Sequence, residues 1–220
     1  MTDFALARRN MIDGQLRPNR VTNPQLLAVI ADLPRERFLP PGLQSVAYAD
    51  DDVPLGNGRY LMEPMILARL IQTLQPQPED KALVVASGTG YGAALLARLV
   101  KSVVAVEADA RLASSAEQTI RALGIGNVHQ VTGRMEDAYP ADAPYDVILI
   151  EGAVQHIPPA IVSQLAEGGR LGTVIAAASA GLLGVAHLMV KEGGVASGRP
   201  IFDAGAPALP GFSAPPRFTF

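Results

Sequence analysis

The chain has 220 residues, with 18 Lys plus Arg against 21 Asp plus Glu and a net charge of −3, which suits one domain with a sizeable core. That balance gives no reason to expect a nucleic-acid partner. There is no cysteine, which excludes disulfides, thiolate catalysis and cysteine-ligated zinc and suits a reducing, cytoplasmic setting.

Residues 3–17 carry apolar side chains at Phe4, Leu6, Ala7, Met11, Ile12 and Leu16, a helical face that Pro18 stops. The start of the chain lacks a long apolar core and does not read as a secretion signal. Asn23-Pro24 opens a second helix running to about Ala31. Leu33–Pro40 reads as a turn of helix closed by prolines, and Gln44–Ala47 as another short helix. Asp50-Asp51-Asp52 suits a solvated loop better than a cation site. Val53–Glu63 reads as an irregular segment, and Pro64 starts an amphipathic helix through Leu74. Gln75-Pro76-Gln77-Pro78 ends this N-terminal helical segment, residues 1–78, which is expected to pack on a core at 79–220 as one compact domain.

The core opens with the most informative stretch. Ala82–Ala86 is apolar and fits a buried parallel strand. Ser87-Gly88-Thr89-Gly90-Tyr91-Gly92 is too glycine-rich for regular structure, Ala93–Leu99 favours helix, and Val103–Val106 is a second apolar run ending at Glu107. Strand, glycine turn, helix, strand and acid make a nucleotide-cofactor layout. The turn lets a ligand approach the backbone, free N–H groups beyond it attract an anion, and the acid can accept from both hydroxyls of a ribose. This stretch by itself fits either S-adenosylmethionine or a dinucleotide, and lacks the Lys-Ser/Thr end of a P-loop.

Next come a helix over 109–123 with Asp109 as N-cap, a third strand at Asn127–Thr132, a loop at Gly133–Asp137 and a fourth strand at Tyr145–Ile150 with Glu151-Gly152-Ala153 at its end. A helix over Pro158–Leu165 and a fifth strand over 170–176 complete a doubly wound parallel sheet of the α/β class. Leu171–Val190 is free of formal charge, but its glycines favour two buried elements with a turn at Ser179-Ala180-Gly181 over a membrane span. The prolines of 198–220 argue against a helix, and Arg217-Phe218-Thr219-Phe220 suits a last strand. His129, His156 and His187 are widely spaced, so no metal site is expected.

Over nearly its whole length the sequence resembles the protein-L-isoaspartate O-methyltransferase family. Leu33–Pro40 resembles its "(I/V)PRE-x-F-(V/L)P", Tyr48–Gly56 its "AY-x-D-x-PLPIG", and Gly88–Ala94 its "GSGYQAA". Val106-Glu107, Ala143–Asp146 and Gln164–Leu171 resemble the segments around its later strands. The resemblance implies a Rossmann-like methyltransferase fold, S-adenosylmethionine as cofactor rather than NAD, and a protein or peptide carboxylate as acceptor. It places Ala86, Ser87, Gly88, Thr89, Gly90, Glu107, Arg134, Met135 and Glu151 at the cofactor. The departures are specific. Met62 stands at the family's serine position, leaving no catalytic side chain assigned; Val84 replaces an acid and Ala86 a glycine. Arg134 stands where an acid meets the adenine, unless it turns to solvent, and Glu151-Gly152-Ala153 replaces "TAA". Two functions follow: methyl transfer of the isoaspartate-repair type, or a methyltransferase-shaped binding protein with lost activity. A NAD-linked oxidoreductase is a distant third, without a matching Tyr/Lys or His arrangement.

Overall fold

A computed structural model describes residues 3–177 and 183–212. The expected turn at 179–181 and last strand at 217–220 lie outside the described residues.

The N-terminal layer is built by caps and prolines. Helix α1 (Phe4–Met11) starts where the Asp3 carboxylate accepts from Leu6 N–H at 3.0 Å, and runs on into a π-helical turn, Ile12–Leu16. Helix α2 (Pro24–Asp32) has Pro24 in its first turn and Asn23 as cap, accepting from Leu26 N–H at 3.0 Å. Two 3-10 turns follow, Arg35–Phe38 and Pro41–Val46. The segment expected to be irregular is a hairpin instead, β1 (Val53–Gly56) against β2 (Arg59–Leu61), turned at Asn57 and Gly58, both at positive φ. Helix α3 (Pro64–Leu74) buries one face completely.

The sheet then alternates with helices: β3 (Lys81–Val85), α4 (Tyr91–Ala97), β4 (Ser102–Glu107), α5 (Ala110–Ala122), β5 (Val128–Thr132), β6 (Tyr145–Val154), α6 (Pro159–Val162) and β7 (Leu165–Ile175). Asp109 caps α5 as expected, accepting from Arg111 N–H at 2.9 Å. Strands β8 (Gly184–Glu192) and β9 (Val195–Ala204) finish a sheet of seven strands among the described residues, in the order β5-β4-β3-β6-β7-β8-β9. The pairs from β5 to β7 are parallel; β8 and β9 are antiparallel, a departure from the fully parallel expectation. The prolines after Gly198 argue against a helix, and the segment through Pro200 is a strand, β9. It lies at the sheet edge, where a missing N–H breaks no ladder on its outer side. The Arg69 guanidinium of α3 stacks 3.6 Å from the Phe202 ring and ties that edge strand down. The helix expected over Pro158–Leu165 is only α6, because Leu165 already enters β7.

Alternate residues of the central strands face opposite layers. Ala82, Val84, Val103, Ala105, Val147 and Leu149 pack in one apolar cluster with α2, α3 and α4. Leu83, Val85, Val104, Val106, Ile148 and Ile150 pack in a second with Ile161, Leu209 and Phe212. Burial on both faces is why these strands read as unbroken apolar runs. Strand order reverses between β3 and β6, so the crevice for a ligand lies at their C-terminal ends. No helix among the described residues is long and apolar enough to cross a membrane.

Candidate active site

The turn after β3 fixes the floor of that crevice. Ala86 takes φ +62, Gly88 φ +54 and Gly90 φ +91. Ser87 N–H donates to Val106 C=O at 3.1 Å, and Gly90 N–H to Ser87 C=O at 2.8 Å. Glycine is required at 90: a Cβ there would stand 2.9 Å from Ala116 Cβ and Ile120 Cδ1 of α5. Ala86 adopts the left-handed region without glycine's freedom, which costs about 1 kcal/mol.

Glu107, at the end of β4, is fully buried and saturated with donors. Its Oε2 accepts from Gly88 N–H at 2.7 Å, and its Oε1 from Ala108 N–H at 2.9 Å and Asp109 N–H at 3.1 Å. The remaining positions belong to Arg59 of β2. Its Nη2 lies 3.0 Å from Oε2, its Nε 3.3 Å from both oxygens, and Nη2 also donates to Ala86 C=O at 2.6 Å. Arg59 is buried with it. Sequence reasoning missed Arg59. Its only local sign is a cation in a glycine turn, and its partner is 48 residues away. The hairpin is pinned at its tip, where Asn57 Nδ2 donates to Asp109 Oδ2 at 2.9 Å.

Glu151 does not follow the fourth strand; it lies inside β6, just before the irregular pairing that Gly152 introduces at φ +151. Its carboxyl packs so closely on Gly92 that a Cβ there would collide with it. Burial pushes its pKa up to about 8, although Arg59 and Arg35 pull the other way, so it is largely protonated at neutral pH. Its Oε1 and the buried Thr89 Oγ1 have no hydrogen-bond partner among the described residues. Beside it, Asp52, Arg59, Met62, Pro207 and Leu209 line a cavity of about 10 Å3. Pro207 and Leu209 come from a segment laid along β6, where Ala153 N–H donates to Pro207 C=O at 2.9 Å and Leu209 N–H to Ala153 C=O at 2.8 Å. Next to Met62 in the chain, the Glu63 carboxyl is raised to about 7, first by burial and then by Asp50, Asp52 and Asp51. Its N–H is held by the Asp52 carboxylate at 2.8 Å.

Behind this wall Arg35 is wholly buried. It donates from Nε to Ala47 C=O at 2.6 Å and from Nη2 to Met62 C=O at 2.7 Å, and lies 4.9 Å from the Tyr91 ring. Arg35 thus fixes the backbone of Met62. Met62 brings a thioether and no donor to the cavity.

The structure brings Ala86, Ser87, Gly88, Thr89, Gly90, Glu107 and Glu151 together around the strand ends. It does not bring in Arg134, whose side chain is 75% exposed and pairs with Asp137 at 3.4 Å. Met135 is buried in the second apolar cluster with Val106 and Ile150.

These residues do not fit an adenosyl cofactor in the conformation they adopt. The acid expected to take the ribose hydroxyls is occupied by Arg59, and the approach to the glycine turn is filled by Glu151. A cavity of about 10 Å3 holds about one water, whereas small-molecule sites run to several hundred Å3.

The profile of the protein-L-isoaspartate(D-aspartate) O-methyltransferase family matches residues 7–187. The chain is 40% identical to a protein-L-isoaspartate O-methyltransferase of Methanoregula boonei, covering 74% of this chain and 76% of that one. It is 42% identical to one of Koribacter versatilis, covering 78% and 77%. A solved protein-L-isoaspartate O-methyltransferase superposes with a TM-score of 0.79 at 26% identity, over 93% of this chain and 66% of that one. A putative member from Plasmodium falciparum, solved in complex with S-adenosyl-L-homocysteine, has the same fold. Its TM-score is 0.75 at 19% identity, over 95% of this chain and 99% of that one.

Proposed function

The chain belongs to the protein-L-isoaspartate(D-aspartate) O-methyltransferase family, and from that membership we propose that it transfers a methyl group from S-adenosylmethionine to a protein carboxylate. The observation that supports this reading is the platform formed by the left-handed turn at Gly88 and Gly90 and the buried Glu107, its carboxylate oriented by the N–H groups of Gly88, Ala108 and Asp109. Ala86, Ser87, Thr89 and Glu151 complete the proposed cofactor site. A carboxylate acceptor is already a nucleophile and needs no base, so positioning and exclusion of water are the main demands on the protein. Met62 at the wall is compatible with that chemistry. A cytoplasmic location belongs to the same proposal and suits a cysteine-free chain.

A second reading is a binding protein of this fold without turnover. It is favoured by the Arg59–Glu107 pair and the small cavity beside it. Transfer of label from S-adenosylmethionine to an isoaspartyl peptide separates the two. Base-labile label rising with time, and abolished by Glu107→Ala, is the expected result. Incorporation no greater than in a protein-free blank would leave only the second reading.

A further inference from the structure

We propose that Arg59 is a built-in competitor for the cofactor: its guanidinium occupies Glu107 in place of a ribose diol, so an adenosyl ligand enters only when the β1–β2 hairpin releases it. The inference rests on the reading of Glu107 as the ribose-binding acid.

The match is one of donor number and charge. A ribose diol offers two adjacent O–H donors to one carboxylate, and Arg59 offers Nε and Nη2 to the same carboxylate, at 3.0–3.3 Å. The pair is desolvated at both ends, with Arg59 4% exposed and Glu107 0%. Arg59 is further anchored on Ala86 C=O at the root of the glycine turn. Glu151 fills the other half of the space, its carboxyl against Gly92. The chain's own side chains therefore supply donors at the acid and a carboxyl at the turn, the two polar ends that an adenosyl amino acid would present. Arg59 sits on a three-residue strand of a two-stranded hairpin rather than on the main sheet, so it can leave without breaking a core strand. The Asn57–Asp109 bond and the packing of Pro210 against Gly58 hold it shut.

A ligand that binds only the open form has its affinity reduced by the fraction of molecules that are open. The test is calorimetric titration with S-adenosylhomocysteine of the unsubstituted chain, Arg59→Ala, Arg59→Lys and the double variant Arg59→Ala/Glu107→Ala. Expected are a gain of about tenfold or more for Arg59→Ala, equivalent to an open fraction of about 0.1 or less in the unsubstituted chain, and a smaller gain for Arg59→Lys. The double variant should bind no tighter than the unsubstituted chain, because the gain acts through Glu107. Arg59→Lys keeps the charge pair and decides the matter if Arg59→Ala does not fold: one ammonium replaces the two nitrogens, Nε and Nη2, that Arg59 sets on Glu107, so its gain must still appear. Equal, measurable binding by all single variants would overturn the competitor and leave the cofactor assignment standing. Binding by none would overturn both, and a gain that survives in the double variant would overturn the route through Glu107.

Discussion

A buried ion pair is costly to assemble and costlier to break by removing one partner, because the survivor is left as an uncompensated charge. Glu107 escapes that penalty in part, since three backbone N–H groups already serve its carboxylate. Two other residues near it carry separable costs. Ala86 holds φ +62, so Ala86→Gly should raise stability by about 0.5–1 kcal/mol, read as a higher denaturation midpoint in urea. Glu151 keeps a proton in the folded state up to about pH 8 that the unfolded chain releases near 4.5. Because the native state binds more protons, this group favours folding fully below pH 4.5, and its contribution is lost as pH rises through about 8. Glu151→Gln should therefore flatten the fall in stability between about pH 4.5 and 8. A gain of roughly 1–3 kcal/mol at pH 9 relative to its effect at pH 5 is expected in paired urea titrations.

Elements here are positioned by their ends. The glycine turn joins β3 to α4 only because Gly90 sits at φ +91 beneath Ala116 and Ile120. Gly90→Ala combines left-handed strain with overpacking and should cost about 2–4 kcal/mol, measured as a lower urea midpoint. The hairpin β1–β2 shows how little a short element advertises itself: Pro54, Gly56 and Gly58 within Val53–Leu61 read as loop, yet Val53 pairs with Leu61 and Pro54 with Tyr60. Strand β9 carries Pro200, tolerated because its strand has only one neighbour.

At the scale of the molecule, one apolar cluster joins Met11, Leu16, Leu26 and Ile30 of the N-terminal layer to Leu95 of α4 and Val147 of β6. Unfolding by urea should therefore be a single transition with coincident fluorescence and circular-dichroism midpoints. Arg35 bridges the same layers through Ala47, Met62 and Tyr91. Arg35→Leu would leave two buried carbonyls unpaired and should lower stability by about 2–4 kcal/mol, with an unchanged slope against urea.

The βαβ core, the start of α2 at Asn23-Pro24, the cap of α5, the glycine turn, Glu107 at the end of β4 and the family are legible in the sequence, because each rests on local periodicity, on a residue with one conformational use, or on a contiguous motif. That Arg134 faces solvent, that Glu151 lies within β6 against Gly92, and that Arg59 sits on Glu107 emerges only in the folded chain. These depend on which distant side chains share one small volume, and no spacing within a segment carries that. A buried charge is placed by the partners that desolvation obliges it to find, and those partners are fixed when the hairpin folds over the strand ends.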